Sequence, residues 1–231
     1  RSSAASDVYK RQVKEVSSPQ YYSVSDEEVT VYLEHEGQIV QIEFLNESVY
    51  TNVSIGKSGY TEVVPGQEIR YTFKDIGNNS TVPLDSFYWR DTLPTDAVRL
   101  DKIITGTYST RLNYKVVFQT NLSNTQRVLA DNLNTLQNYI LDASPAALGL
   151  ASNEYVTQVT FLFGRVPGGF RQVETPYIYC DVLSSLPHEY RFSNKCDVGG
   201  MWQNQWIQAT DRWVTIIYRG GPVPTLPRTG Y

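Results

Sequence analysis

Two cysteines, one methionine and two histidines among 231 residues leave little material for redox or metal chemistry. His35 falls in a predicted hairpin turn and His188 stands beside Pro187 in a loop. Neither has a zinc-type ligand spacing, and neither is accompanied by a Ser, Cys or Asp in a recognisable catalytic order. Both read as solvated side chains. No glycine-rich loop of the phosphate-cradling kind is present, and the glycine pairs read as turns. Carboxylates such as Asp85, Asp91 and Asp101 alternate along strands as exposed faces do. Long apolar runs are also missing: no segment approaches the roughly eighteen apolar residues that a spanning helix needs. Twenty Lys and Arg against 24 Asp and Glu give a net charge of −4, so no basic field would draw nucleic acid or an anionic membrane. These absences point away from an enzyme, a cofactor protein and a nucleic-acid binder.

Aromatic residues are abundant. Seventeen Tyr, eight Phe and four Trp, with β-branched residues throughout, favour strands over helices. Period-two alternation along residues 28–33 and 38–44, around His35-Glu36-Gly37, predicts a hairpin. Further strands are expected at 52–55, 68–74, 85–90, 100–107, 112–119, 155–163, 171–183, 190–192 and 206–218. Turn clusters separate them, such as Val64-Pro65-Gly66, Gly77-Asn78-Asn79-Ser80 and Val166-Pro167-Gly168-Gly169. The fold class is therefore all-β, an antiparallel sandwich. One stretch stands apart: in Asp131 to Ala147, Leu133, Leu136, Ile140 and Leu141 fit either a short helix near 131–144 or a long irregular crossing, and Pro145 would end any helix.

Residues 226–230 read Leu226-Pro227-Arg228-Thr229-Gly230. They fit LPxTG, the pentapeptide that sortases cut between Thr and Gly when they join secreted proteins to the peptidoglycan of Gram-positive bacteria. Pro222, Pro224 and Pro227 fix φ and lack an amide donor, which keeps residues 219–231 extended, as a sortase substrate must be. The resemblance implies sortase and peptidoglycan as covalent partners and a cell-surface location. It also implies an apolar span and basic residues downstream of Tyr231, which would be the only membrane contact. At the other end, Asp7-Val8-Tyr9-Lys10-Arg11-Gln12 resembles a translated sequencing-library adaptor. Residues 1–12 are accordingly expected to be a disordered assembly scar, with any leader peptide upstream.

Residues 13–48 resemble the end of a B-type, prealbumin-like domain of collagen adhesins and pilins, on Val13-Lys14-Glu15 through Pro19-Gln20-Tyr21 and on Phe44-Leu45-Asn46-Glu47. In that family a Lys attacks an Asn amide beside a buried acid and forms an isopeptide crosslink. The resemblance gives the acid role to Glu15 and the acceptor role to Asn46, while the Lys would lie upstream. Residues 49–218 form the second expected domain. Their part up to about 120 resembles an Ig-like repeat of unknown function from bacterial surface proteins, on Val64-Pro65-Gly66 to Phe73, Ile76-Gly77-Asn78 and Asp91-Thr92-Leu93-Pro94. Phe163 to Phe170 and Asn194 to Gly200 resemble segments that accompany that repeat.

Three features remain open. Cys180 and Cys196 could bridge in an oxidising compartment, or stay as two buried thiols. Trp202, Trp206 and Trp213 could stack on sugars, although core packing is the commoner use, and residues seven apart fall on opposite faces of a strand. Asn46, Asn52 and Asn79 begin sequons that, in a bacterium, mark strand ends and turns. The leading expectation is a wall-anchored structural stalk or adhesin segment. The alternatives are a module that itself binds a host glycan or matrix protein, and a pilin subunit linked through a Lys.

Overall fold

The computed structural model describes residues 19–24, 28–35, 38–45 and 49–218. The chain divides into two compact units between Val49 and Tyr50. In the first, β1 (Pro19–Val24), β2 (Glu28–His35) and β3 (Gln38–Leu45) form an antiparallel sheet in that order. The expected hairpin is the β2–β3 pair, in unbroken register from Glu28↔Leu45 to His35↔Gln38.

The second unit is a sandwich of two sheets. Its strands are β4 (Val53–Ser58), β5 (Glu62–Val63), β6 (Glu68–Asn78), β7 (Leu84–Thr92), β8 (Val98–Ile104), β9 (Thr107–Tyr108), β10 (Asn113–Thr120) and β11 (Ser123–Asn134). They continue with β12 (Ile140–Asp142), β13 (Val156–Val166), β14 (Gln172–Glu174), β15 (Tyr177–Val182), β16 (Arg191–Trp202) and β17 (Gln205–Ile217). One sheet runs β11-β10-β13-β7-β16-β17-β5, the other β12-β8-β15-β6-β4, and β9 pairs with β14. Every pairing is antiparallel except β17 with β5. After β4 the chain crosses between sheets through Gly59 to Thr61, and the Thr61 carbonyl accepts from the Ile216 amide at 2.9 Å.

Between the sheets lies an aromatic core. Trp89 stacks on Phe161 with centroids 3.9 Å apart and donates its indole N–H to the Tyr108 hydroxyl at 2.9 Å. Phe87, Phe163, Phe170 and Tyr114 extend this packing edge to face and stacked. A buried aromatic side chain of this size contributes on the order of 2–3 kcal/mol, so the cluster is the unit's main adhesive. Asn78, fully buried, donates to the carbonyls of Val82 and Pro167 and accepts from the Ser80 amide, tying two turns at one end of β6.

Three sequence expectations are corrected. No helix forms among the described residues. The stretch from Asp131 is the end of β11, a turn and β12, because Asn132 adopts a left-handed φ of 54° and the Asn134 side chain accepts from the Leu136 amide. Leu133 is buried but Leu136 and Ile140 are exposed, so their spacing never becomes one apolar helical face. Residues 123–134, too polar to read as a strand, form a long edge strand, and 190–192 is only the start of β16. Finally, Gly199-Gly200 is no turn. It lies in the middle of β16, where a Cβ on Gly200 would come within 2.8 Å of the Leu84 Cβ.

The path of the chain through this unit is directional. Tyr50 and Asn52 bond to Thr81 and Asn79, at the Asn78 end of β6. Tyr218 bonds to Val63, which leads by the Val64–Gln67 turn into the Glu68 end of the same strand. Entry and exit therefore sit at opposite poles, separated by the length of an eleven-residue strand, roughly 35 Å.

Candidate functional site

Strand alternation delivers three polar side chains into the core. On β4 the inward series is Val53, Ile55, Lys57; on β7 it is Phe87, Trp89, Asp91; on β16 it is Phe192, Asn194, Cys196. In each, a reactive or ionisable group occupies a position that the pattern reserves for an apolar one. β7 and β16 are neighbours, with Cys196 opposite Asp91, so Asn194 is the diagonal neighbour of Asp91 on the same face. Lys57 approaches from the facing sheet.

The three groups meet. Lys57 Nζ donates to Asp91 Oδ1 at 2.6 Å, and both side chains have zero exposure. Asn194 Nδ2 donates to Asp91 Oδ2 at 3.2 Å. The Lys57 ammonium also lies 4.0 Å from the centroid of Phe73 and 4.6 Å from that of Tyr71, while its backbone amide is held by Asp211 Oδ2 at 2.7 Å. Burial pushes the Asp91 carboxyl up from its ordinary range, and Lys57 opposes that shift. Burial likewise raises the Tyr71 phenol. Two polar atoms here lack a hydrogen bond: Asn194 Oδ1 and the Tyr71 hydroxyl, which faces Asn194 and Thr215. Asp91, read from the sequence as a surface carboxylate, is thus a core group, a correction forced by the parity it shares with Phe87 and Trp89. Asp85 is exposed, as expected.

The sequence candidates fare differently. Glu15, Asn46 and the pentapeptide Leu226, Pro227, Arg228, Thr229 and Gly230 lie outside the described residues. Cys180 and Cys196 are both free and buried, on β15 and β16 of opposite sheets, so the structure has the two thiols rather than the bridge. Both feel the charges of Lys57 and Asp91. Burial pushes the Cys196 thiol up to about 12 and raises the Cys180 thiol well above its ordinary value, which leaves neither as a nucleophile.

The tryptophans do not assemble into a platform. Trp206 faces outward and is half exposed, against Tyr88 at 6.1 Å. Trp202 and Trp213 pack against the core, and Trp213 donates its indole N–H to the Tyr60 carbonyl at 3.0 Å. Beside Trp206 the polar groups satisfy one another: Arg90 grips Asp197 through two bonds of 2.8 and 2.9 Å, and Tyr88 donates to the same carboxylate. His188 is exposed and lies edge to face with Tyr218 at 5.4 Å. Among the described residues no group of three His, Cys, Asp or Glu could hold a metal ion, and no helix is long and apolar enough to cross a membrane.

No protein-family profile matches the chain, and no curated protein does. Among solved structures it is similar to the collagen-binding subdomain of the Enterococcus faecalis surface protein ACE, at 11% identity over 71% of this chain and 96% of that one. It is similar also to AggA, the major subunit of aggregative adherence fimbriae type I of Escherichia coli, at 8% identity over 73% and 95%. A third is AvmM, which catalyses macrocyclisation in alchivemycin A biosynthesis, at 9% identity over 84% and 98%. The TM-score is 0.30 in each case. A bacterial surface-protein subdomain and a fimbrial subunit thus stand among its structural neighbours, as distant likenesses of an all-β chain.

Proposed function

We propose that this chain is part of a cell-wall-anchored surface protein of a Gram-positive bacterium, a sandwich stalk or adhesin segment that serves as a sortase substrate. The observation that carries the reading is the sequence Leu226-Pro227-Arg228-Thr229-Gly230, preceded by Pro222 and Pro224, residues that, like Pro227, fix φ and lack an amide donor. The polar geometry of the second unit supports it. A chain that enters at one end of a sandwich and leaves at the other can be placed in series with further domains, and tension then runs along its strands. In this reading a sortase thiolate attacks the Thr229 carbonyl and releases Gly230, and a wall-precursor amine takes the acyl group. The chain's own contribution is an accessible substrate. A ligand-binding role for the tryptophans finds no support in their placement, since Trp206 alone of the three is half exposed.

The test is transpeptidation. Incubated with a class A sortase and a glycine peptide, the full chain is expected to gain that peptide on Thr229 and lose Gly230-Tyr231. Thr229→Ala is expected to stay intact. An uncut wild-type chain, under conditions where a control LPxTG peptide is processed, overturns the reading.

A further inference from the structure

We propose that Lys57 and Asn194 become joined by an intramolecular amide bond between Nζ and Cγ, with Asp91 moving the protons, so that the second unit is covalently closed between its first and next-to-last strands.

An amine and a carboxamide that bond to the two oxygens of one carboxyl, with no exposed side-chain surface at Lys57 or Asp91, cannot act on anything that arrives from solvent. Whatever they react with is already there. An ion pair sealed against two aromatic rings is moreover a weak source of stability, because desolvation offsets most of the attraction. The surrounding core is otherwise well satisfied: among the described residues three buried side-chain atoms lack a partner, and two of these, Asn194 Oδ1 and the Tyr71 hydroxyl, belong to this cluster. Orphaned polar groups of this kind call for a chemical explanation.

The chemistry balances without any cofactor. A proton passing from Lys57 to Asp91 leaves a neutral amine beside a carboxylic acid, and burial of Asp91 favours the protonated form. A half-turn of the Asn194 carboxamide exchanges two atoms of nearly equal size and sets Oδ1 against the Asp91 proton, with the Tyr71 hydroxyl alongside. The Nζ lone pair attacks Cγ, and the electron pair moves onto the polarised oxygen. Asp91 gives its proton to the departing nitrogen and takes one from Nζ, and the tetrahedral centre collapses. One C–N bond forms, one breaks, and ammonia leaves. Asp91 ends as a neutral acid beside the new amide, so no buried charge remains.

The measurement is the intact mass of the purified full chain, followed by sequencing of its proteolytic peptides. The expected result is a mass lower than that of the sequence by one ammonia, with a branched peptide carrying Lys57 and Asn194. Asp91→Asn, which keeps the shape but cannot relay protons, is expected to show its full mass and two linear peptides. A wild-type chain of full mass, with Lys57 and Asn194 on separate peptides, overturns the proposal whatever the variants do. A crosslink that persists in Asp91→Asn overturns the role given to Asp91. Sortase cleavage at Thr229 is read in a different assay, so the two readings fail independently.

Discussion

At the scale of single residues, the deciding feature is parity within a strand. Lys57, Asp91 and Asn194 each continue an inward apolar series by one more step. That signal is present in the sequence: Val53-x-Ile55-x-Lys57 and Phe87-x-Trp89-x-Asp91 both put a charge where a core side chain belongs. Composition hides it, since charged residues are rarely buried and the default reading sends them outward. Nothing in the linear order indicates that three such positions, far apart in the chain, converge. The cysteines show the same limit, because their spacing allows a bridge while only the fold places them on opposite sheets. Below its raised pKa each thiol keeps its proton, and at pH 8 the nucleophilic thiolate is scarce. Native protein is therefore expected to resist alkylation by iodoacetamide at pH 8. In denaturant without reductant it is expected to take two labels; fewer than two would mean that the thiols are not free.

At the scale of elements, the hairpin of β2 and β3 and most strands of the sandwich are legible as alternation bounded by turn residues. The failures have physical causes. β11 is an edge strand with one partner, so its outer positions are polar and its alternation is faint. β16 runs through Gly199-Gly200, a pair that local chemistry assigns to a turn. Here the glycines answer to packing: Gly199 leaves room for Tyr88, and Gly200 for Leu84 and Phe87. Gly200→Ala is therefore expected to destabilise the unit by about 1–3 kcal/mol, the range for overpacking a rigid core. Urea denaturation measures it, and an unchanged midpoint would show that β7 can shift to admit the methyl group. The turn between β16 and β17 is better behaved, for Gln203 and Asn204 both take left-handed φ, 46° and 63°, as a two-residue hairpin requires.

At the scale of the whole unit, opposite poles for entry and exit define a load path. Pulled from Tyr50 and Tyr218, a sandwich without a crosslink would unravel through all its strands. With Lys57 and Asn194 joined, the path runs directly from β4 to β16, and everything between is excluded from extension. Single-molecule stretching of the wild type is accordingly expected to release only the short segments outside that loop, and Lys57→Met the full contour. Equal extension in the two would rule out the shortcut.

The margins of the sheets have a further consequence. β5 is two residues long, β12 three, and β11 is broken by repeated register shifts against β10, while β4 is flanked by Asp211 of β17, which takes its Lys57 amide. Long, flat rows of unpaired backbone donors and acceptors are what allow neighbouring β proteins to fuse into fibres. Copies of the sandwich unit brought side by side would find little on each other's sheet margins to zip onto.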